Sequence, residues 1–330
     1  MRRKMCVIVT VVAALAVFLG AGVLFADEYP SRPFDLIAPS GAGGGWDTTI
    51  RMTAKVLADQ KLVEQPMPVT NKPGGGGAVG LAYLQKRRGN AYTCAVYSPP
   101  LLLINLTGQT RYSYKDTTPI SMLINDYAAY AVPKNSPYKT IGDVMEALKK
   151  DPKSVKIGGG SSAGSMDHIQ FLQAAKAAGV KDLKSIPYIS FQEGSMAALM
   201  GGHVDLLSTG MAETVGPMEA GDIRVLAISS PVRVAEGPLS KIPTLKEAGI
   251  DTVFINWRGI FGPPDMPESA VSFLSTALEK MSGTDEWNEV CGKNGWTKSY
   301  MGTEDFKSFL DKTNGEYEEL LQAIGFLKTK

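Results

Sequence analysis

Two glycine-rich turns constrain this chain most, because each directly follows a strand-like run and precedes a helix-like one. The first turn is Ala38–Asp47 (APSGAGGGWD), and the second is Asn71–Gly80 (NKPGGGGAVG). Glycine lets the backbone turn sharply and expose consecutive amides, and a helix start adds unpaired donors and partial positive charge. Two such turns in one domain predict a pocket for an anion. An ordinary strand-to-helix loop rich in turn residues is the alternative for each.

Strand-like and helix-like runs alternate along the chain, and this order predicts an α/β architecture with largely parallel sheets flanked by helices. The predicted strands are 34–38, 67–70, 93–98, 128–132, 155–158, 185–189, 204–209, 223–229 and 255–261, and the predicted helices are 48–57, 78–85, 141–150, 166–178, 194–200, 269–280 and 303–326. The last helix carries an apolar stripe at helical spacing, with Thr303 as its candidate N-cap. Chain crossings near residues 127 and 228 would divide the chain into two lobes, with lobe 1 over 27–126 and 229–330 and lobe 2 over 127–228.

The first 26 residues have the pattern of an export signal. Three basic residues at positions 2–4 precede an almost wholly apolar run over 7–25, and Ala26 is a small residue suited to cleavage. An uncleaved anchor is the alternative, because the run approaches spanning length. Cleavage leaves 31 Lys and Arg against 33 Asp and Glu, a net charge of −2. That balance argues against a nucleic-acid or membrane-surface role based on bulk charge.

The residues that most often carry catalysis or bind metals form no recognisable motif. The run 160–164 departs from the nucleophile pattern Gly-x-Ser-x-Gly by one extra residue. Neither of the two histidines has metal-ligand spacing with Cys94 or Cys291. We therefore expect no metal, no cofactor and no catalysis. A disulfide between the two cysteines is permitted in an oxidising compartment, and two separate buried thiols are favoured.

A series of short motifs then points to a family. In chain order they are Tyr29-Pro-Ser-Arg-Pro33, the two glycine-rich turns, 158–165 with His168, 201–205, 224–228, 243–249 and 256–260. In order and spacing, over nearly the whole mature chain, they resemble the periplasmic solute receptors of tripartite tricarboxylate transporters, also called the Bug family. Gly75 and Gly76 depart from the Ala-Gly that the family often has there.

The resemblance implies a type II periplasmic-binding-protein fold, in which two lobes joined by a double hinge close over a small carboxylate. It also implies a monomer in the periplasm that delivers a citrate-like di- or tricarboxylate to a membrane transporter of two subunits, with no nucleic-acid partner. Two alternatives stay open: an exported enzyme that acts on a small carboxylic acid, and a receptor that presents its ligand to a membrane sensor.

The candidate ligand-binding residues lie mainly in the turns that follow strands. They are Ser40, Gly43, Gly44, Gly45, Trp46, Asp47, Gly74, Gly75, Gly76, Gly77, Ser98, Ser161, Ser162, Gly164, Ser165 and Arg258. Amides over 43–46 are expected to hold a carboxylate, so Gly44→Val should weaken binding more than Arg258→Ala. Trp46 is a core anchor or a wall of the site. Arg258 either binds a carboxylate or pairs with an acid at the surface.

Three other assignments concern the starts of two helices. Asp47 is expected to cap a helix that begins at Thr48, to pair with Arg51 or to shape the loop. The serines at 161, 162 and 165 suit a second carboxylate or cap the following helix. His168 lies in the first turn of that helix, where positive potential disfavours a protonated imidazole, so we expect it to be neutral.

Overall fold

A computed structural model describes residues 29–191, 194–234 and 237–328. The predicted export signal over 1–26 lies outside the described residues. The chain divides into two units, 1–32 and 33–330. Of the first unit only residues 29–32 are described, and all that follows concerns the second. Over the described ranges, no helix combines the length and apolar character needed to cross a membrane.

Strands and helices alternate as predicted. In chain order the strands are β1 (Asp35–Ala38), β2 (Val69–Asn71), β3 (Thr93–Tyr97), β4 (Thr118–Pro133), β5 (Ile157–Gly159), β6 (Tyr188–Ser190), β7 (Leu206–Gly210), β8 (Ile223–Ile228), β9 (Ile255–Gly262) and β10 (Thr297–Met301). The α-helices are α1 (Gly45–Asp59), α2 (Ala78–Gln85), α3 (Pro100–Leu106), α4 (Ile141–Lys150), α5 (Met166–Ala177), α6 (Ser195–Met200), α7 (Met211–Glu219), α8 (Glu268–Ser282), α9 (Asp285–Lys293) and α10 (Thr303–Ile324).

The long strand β4 joins the two lobes. Its first part pairs antiparallel with β9 and β10, and its second part pairs antiparallel with β7 and β8. Toward the edges of the sheet, β1 lies parallel to both β2 and β3, and β5 lies parallel to both β6 and β7. The two-lobe α/β fold is confirmed, with mixed strand pairing in place of the largely parallel pairing predicted. Pairing around β4 is antiparallel because β4 leaves one lobe while β9 returns to it, so the two strands run in opposite directions.

The chain returns to the first lobe at a point beyond β8. Ile228 forms a bridge with Thr244, and the amide of Leu245 donates to the Ile228 carbonyl, 2.8 Å. β9 rejoins β4 where Ile255 pairs with Tyr127. The lobe limits at residues 126 and 228 stay a prediction, and these contacts favour a return near Ile255.

The apolar stripe predicted for the last helix is confirmed on α10. Phe306, Leu310, Tyr317 and Leu321 are buried in the main core, and Phe306 packs edge-to-face against Trp257, with ring centroids 5.7 Å apart. The cap assignment is wrong by one residue. Gly302 is the N-cap, and the Thr303 hydroxyl instead donates to the Ile120 carbonyl, 2.8 Å.

The two cysteines of the described chain are separate. Cys94 and Cys291 are both buried and both free thiols, which confirms the favoured interpretation over a disulfide. Burial raises the pKa of the Cys94 thiol to about 12 and that of Cys291 to about 11. Both thiols therefore pack as small apolar groups.

Candidate ligand-binding site

Strand ends from both lobes converge on a cavity of about 410 Å³. Strands β1, β2 and β3 end at it from one lobe, and β5, β6 and β7 end at it from the other; the helices α1, α2, α3, α5, α6 and α7 begin there. Ligands of α/β proteins bind at the carboxyl ends of parallel strands. The start of a long helix such as α1 or α5 adds unpaired amides and positive potential that favour an anion.

One side of the cavity, here called the glycine wall, consists of Gly45, Trp46, Gly74–Gly77 and Ser98. Gly45 and Trp46 are the first two residues of α1, so their amides have no acceptor within the helix. Gly74–Gly77 have φ values of +127°, +58°, +62° and +103°, which only glycine adopts readily. The amides of Gly75 and Gly76 donate to no acceptor among the described residues. The glycine wall thus presents several amide donors without a carboxylate.

Trp46 lines the cavity and also packs against the main core. Its indole Nε1–H donates to Ser98 Oγ, 2.8 Å, and its ring packs edge-to-face against Tyr97, with centroids 5.7 Å apart. The Tyr97 hydroxyl in turn donates to the Gly77 carbonyl, 3.0 Å. A β-carbon on Gly77 would lie 3.1 Å from both rings. These contacts fix the two glycine-rich turns against each other.

The capping role predicted for Asp47 is wrong, and its pairing with Arg51 is confirmed. Helix α1 begins at Gly45 rather than Thr48, so Asp47 is its third residue. The carboxylate accepts from Arg51 Nε, 2.8 Å, from Asn71 Nδ2, 2.8 Å, and from the Gly43 amide, 2.9 Å. Burial acts to raise the pKa of Asp47, but these hydrogen bonds hold it below its ordinary value. Asp47 therefore shapes the loop as an ionised acceptor.

Four candidates lie outside the cavity lining: Gly43, Gly44, Asp47 and Gly164. The amides of the three glycines are already engaged, since Gly43 donates to Asp47, Gly44 donates to the Gly41 carbonyl and Gly164 donates to His168 Nδ1. These residues shape the loops and do not face the cavity. The remaining candidates line it: Ser40, Gly45, Trp46, Gly74, Gly75, Gly76, Gly77, Ser98, Ser161, Ser162, Ser165 and Arg258.

His168 is neutral, as predicted. Burial lowers the pKa of its imidazole to about 4. Because Nδ1 accepts from the Gly164 amide, 2.9 Å, the ring proton belongs on Nε2. The ring stacks on Tyr188 with centroids 4.3 Å apart. His168 therefore packs the start of α5 behind the cavity lining.

The other side of the cavity, here called the acidic wall, consists of Asp126, Asp167 and Glu213. Asp167 is the second residue of α5; its carboxylate accepts from the Ser161 amide and its own amide donates to Ser161 Oγ, each at 2.8 Å. The N-cap is Ser165, which makes no side-chain cap hydrogen bond, so Ser161 from the preceding turn supplies the acceptor for the Asp167 amide. Burial raises the pKa of Asp167 to about 7, and the Glu213 carboxylate adds to the rise. Glu213 is exposed in the first turn of α7 and accepts from the Thr209 hydroxyl.

The predicted pairing of Arg258 with an acid is confirmed, but the pair is buried rather than at the surface. Only 7% of the residue is exposed. Its Nη2 donates to Asp126 Oδ2, 2.8 Å, while Nη1 donates to the Gly45 carbonyl, 3.0 Å, and to Thr49 Oγ1, 2.8 Å. Burial lowers the pKa of Arg258, but the guanidinium stays protonated at neutral pH. Burial also raises the pKa of Asp126, and the Arg258 charge offsets part of that rise.

The fit of Arg258 depends on a glycine. A β-carbon on Gly45 would lie 2.8 Å from Nη2 of Arg258, closer than real side chains approach. Gly44, by contrast, has φ −70° and ψ 165°, an extended conformation that any residue adopts. A side chain at Gly44 therefore meets no backbone strain, and the glycine of this turn that lines the cavity beside Arg258 is Gly45.

Sequence reasoning missed the acidic wall and Asn256. Asp167 and Glu213 follow strand ends, which is the signal that could have found them. Acids in the first turn of a helix are so common that their position alone does not mark a ligand site. Asp126 and Asn256 lie in long buried strands, where the sequence marks only the apolar pattern. Among described residues, no three or more His, Cys, Asp or Glu side chains are arranged to hold a metal ion.

Comparisons with known proteins agree with this fold. The family model "Tripartite tricarboxylate transporter family receptor" (TctC) matches residues 50–326. The chain is 31% identical over 314 residues to the UPF0065 protein in the gbd 5'region of Cupriavidus necator, covering 92% of this chain and 91% of that one.

Two solved structures are similar over most of both chains. A TctC solute binding protein from Polaromonas, without ligand, has a TM-score of 0.70 and 29% identity over 89% of this chain and 99% of that one. R. palustris Rpa4515 with adipate has a TM-score of 0.79 and 23% identity over 90% and 99%.

Proposed function

The chain belongs to the TctC family of tripartite tricarboxylate transporter receptors, and from this we propose that it binds a small carboxylate in the cavity and delivers it to a membrane transporter of two subunits. Members of this family are periplasmic solute-binding receptors. We propose that this chain is exported by its first 26 residues, acts as a monomer and releases its ligand chemically unchanged.

The observation that carries the proposal is the glycine wall. Gly45 and Trp46 at the start of α1, and Gly75 and Gly76 in the second turn, line one cavity, and their amides donate to no acceptor among the described residues. Oxygen atoms of a carboxylate accept several amide hydrogen bonds at once, and the α1 dipole favours their charge. We place the ligand carboxylate there.

The prediction of a citrate-like ligand with two or more carboxylates rests on the serines of the second lobe. Ser162 and Ser165 line the cavity as that prediction requires. The R. palustris relative with adipate supports a dicarboxylate for that protein. In this chain a second carboxylate would approach the acidic wall, so a ligand panel must compare ligands with one, two and three carboxylates.

The test is a binding panel on the mature protein. Thermal unfolding is followed with mono-, di- and tricarboxylates, amino acids and sugars, and hits are titrated by calorimetry. Stabilisation follows RT ln(1 + [L]/Kd), about 2.7 kcal/mol at a hundredfold excess over Kd. At least one carboxylate-bearing solute should stabilise the protein. Stabilisation by sugars alone would contradict the proposal, as would any chemical conversion of a bound acid.

A matched pair of variants locates the site. Gly45→Val adds a branched side chain inside the cavity and displaces Arg258, so we expect it to abolish binding. Gly44→Val alters the adjacent residue, whose backbone is extended and which lies outside the lining, so binding should persist. Circular dichroism first checks that both fold. Undiminished binding by a folded Gly45→Val protein would mean that the carboxylate lies elsewhere.

A further inference from the structure

The charges that line the cavity are unequal. Lining residues in the described chain include three acids, Asp126, Asp167 and Glu213, against one cation, Arg258, with no Lys or His. The charge of Arg258 is already engaged, because its Nη2 donates to Asp126 at 2.8 Å. Asp167 and Glu213 have no ion-pair partner among the described residues and accept from neutral groups: Asp167 from the Ser161 amide, 2.8 Å, and Gln170 Nε2, 3.5 Å, and Glu213 from the Thr209 hydroxyl.

The acids lie close to one another. A β-carbon on Gly210 would lie 3.4 Å from Asp126 Oδ2 and 3.7 Å from Glu213 Oε1. The Glu213 charge raises the pKa of both Asp126 and Asp167 beyond the effect of burial. A second carboxylate on a ligand would therefore enter a region where carboxylates already repel one another.

An unpaired acceptor lies in the same region. Asn256 lines the cavity, is 4% exposed, and its Nδ2 donates to Asp126 Oδ2 at 3.4 Å. Its buried Oδ1 has no hydrogen-bond partner among the described residues. Buried acceptors without donors cost free energy, so this side of the cavity favours a ligand that brings donors. Among the described residues, Asp126, Asp167 and Glu213 are not arranged to hold a metal ion. The group that complements this side of the cavity is therefore an organic hydrogen-bond donor.

We propose that the ligand carries a protonated amine as well as its carboxylate, with the carboxylate on the glycine wall and the ammonium group on the acidic wall. An ammonium group offers three N–H donors and no acceptor, which matches Asp167, Glu213 and Asn256. The ligand class is therefore a small aminocarboxylate. This inference rests on the proposed function, since it assigns the second end of a ligand whose first end the glycine wall holds.

The charge of the ligand end beside Asp167 determines whether binding releases or takes up a proton. An ammonium group beside Asp167 favours its ionised form, so binding near pH 7 should release a proton. A carboxylate in the same place would favour the protonated form and so would take up a proton or none. The titratable groups facing Asp167 are Glu213, which raises its pKa, and Tyr188, whose own pKa is raised by burial and then by the Asp167 charge; the Ser161 amide and hydroxyl and the Gly160 amide lower the pKa of Asp167.

The experiment compares ligands that differ only at one end. Calorimetry at pH 7 measures Kd for three pairs in which an amine replaces one carboxylate: succinate and 3-aminopropanoate, glutarate and 4-aminobutyrate, and adipate and 5-aminopentanoate. A fourth pair, glutarate and glutamate, tests the effect of adding an amine beside one carboxylate. In at least one pair the amino ligand should bind ten times more tightly or better. Titration in buffers of different ionisation enthalpy should then show proton release.

Variants on one helix provide the control. Glu213→Gln removes a charge from the acidic wall at an exposed position, so the preference for the amino ligand should fall at least threefold. Glu219→Gln, at the exposed end of the same helix and outside the cavity, should leave the preference unchanged. If the dicarboxylate binds as tightly or more tightly in every pair, the inference is wrong and the proposed function stands. If no ligand of either kind binds, the proposed function itself fails and this inference fails with it.

Discussion

The two walls of the cavity are built alike and differ in charge. At each, a strand ends, a glycine- or serine-rich turn follows, and an acid lies in the first turn of the next helix: Asp47 in α1, which lies outside the cavity lining, and Asp167 in α5, which lines it. Asp47 has Arg51 four residues on, and its hydrogen bonds lower its pKa. Asp167 has no such partner, and burial raises its pKa. Neighbouring donors, rather than position in the helix, decide whether a first-turn acid is neutralised within the chain or left facing a ligand.

Arg258 contacts Gly45 of the glycine wall and Asp126 of the acidic wall. Its removal should therefore have the largest effect of the changes compared between the two walls. Arg258→Met leaves Asp126 buried without a cation and should lower the free energy of unfolding by about 3–5 kcal/mol. Asp126 keeps the hydrogen bond from the Tyr127 amide, 2.8 Å, which cannot replace the lost charge. Urea unfolding at pH 7 measures the change.

An exposed ion pair in the same chain serves as the control. Arg233 pairs with Glu247 at 2.8 Å with both side chains nearly half exposed, so Arg233→Met should cost less than about 1 kcal/mol. Adding Asp126→Asn to Arg258→Met should recover part of the loss, because it removes the uncompensated charge. Equal costs for the two arginine variants would mean that burial adds nothing to the Asp126 pair.

The acidic wall should make stability fall as pH rises. The pKa of Asp167 is about 7 in the folded protein, above its ordinary value near 4, because of burial and then Glu213. Its contribution to stability is therefore fully present below about pH 4 and is lost as pH rises through 7, by about 4 kcal/mol. In Asp167→Asn that loss should be absent.

Urea unfolding at intervals from pH 4.5 to 8 tests this dependence. The stability of Asp167→Asn relative to the original chain should rise across the range. Asp222→Asn, at an exposed position, should track the original chain at every pH. A constant difference between Asp167→Asn and the original chain would show that Asp167 is ionised throughout and that burial does not perturb it.

Much of the fold followed from sequence because local signals agree with it. Helices α2 and α4 begin and end at the predicted residues, and Thr140 and Asp143 form a capping box at the start of α4. Helix α3 was missed because Pro99 and Pro100 suggest a break, although proline is tolerated in a first helical turn. Its residues from Pro100 to Ile104 are all buried, so no amphipathic period marks it.

The site, like the fold, was predicted only where it has a local signal in the sequence. The glycine wall was predicted because runs of glycine are visible in one stretch of sequence. The acidic wall depends on contacts between distant positions, such as Asp126 with Arg258, 132 residues apart. Pairing of that kind has no local signature. The first ten residues of β4 were missed for a similar reason: the strand spans both lobes, and its two parts pair with different partners.

The glycine wall should tolerate no side chain at Gly77. Gly77→Ala places a β-carbon 3.1 Å from the rings of Trp46 and Tyr97 at a φ of +103°, so we expect a loss of about 2 kcal/mol and weaker ligand binding. Gly221→Ala carries comparable backbone strain, φ +75°, with nothing within 4 Å, so it should cost about 1 kcal/mol and leave binding intact. Chemical unfolding measures the stability of both variants, and calorimetry measures their ligand binding. Equal effects of Gly77→Ala and Gly221→Ala would mean that only backbone strain matters.

The smallest effect should come from Asp47, and its dependence on pH should have the opposite sign to that of Asp167. Because hydrogen bonds from Arg51, Asn71 and the Gly43 amide hold the pKa of Asp47 down, its contribution is present above about pH 4 and is lost as pH falls below that value. Asp47→Asn should cost about 1 kcal/mol at pH 7, since the amide cannot accept every bond that the carboxylate accepts. Unfolding curves at pH 7 and pH 3 should therefore differ for the original chain by more than for the variant. Equal losses of stability for the variant and the original chain between pH 7 and pH 3 would show that Asp47 is an ordinary exposed acid. The contrast between the two walls would then rest on Asp167 alone.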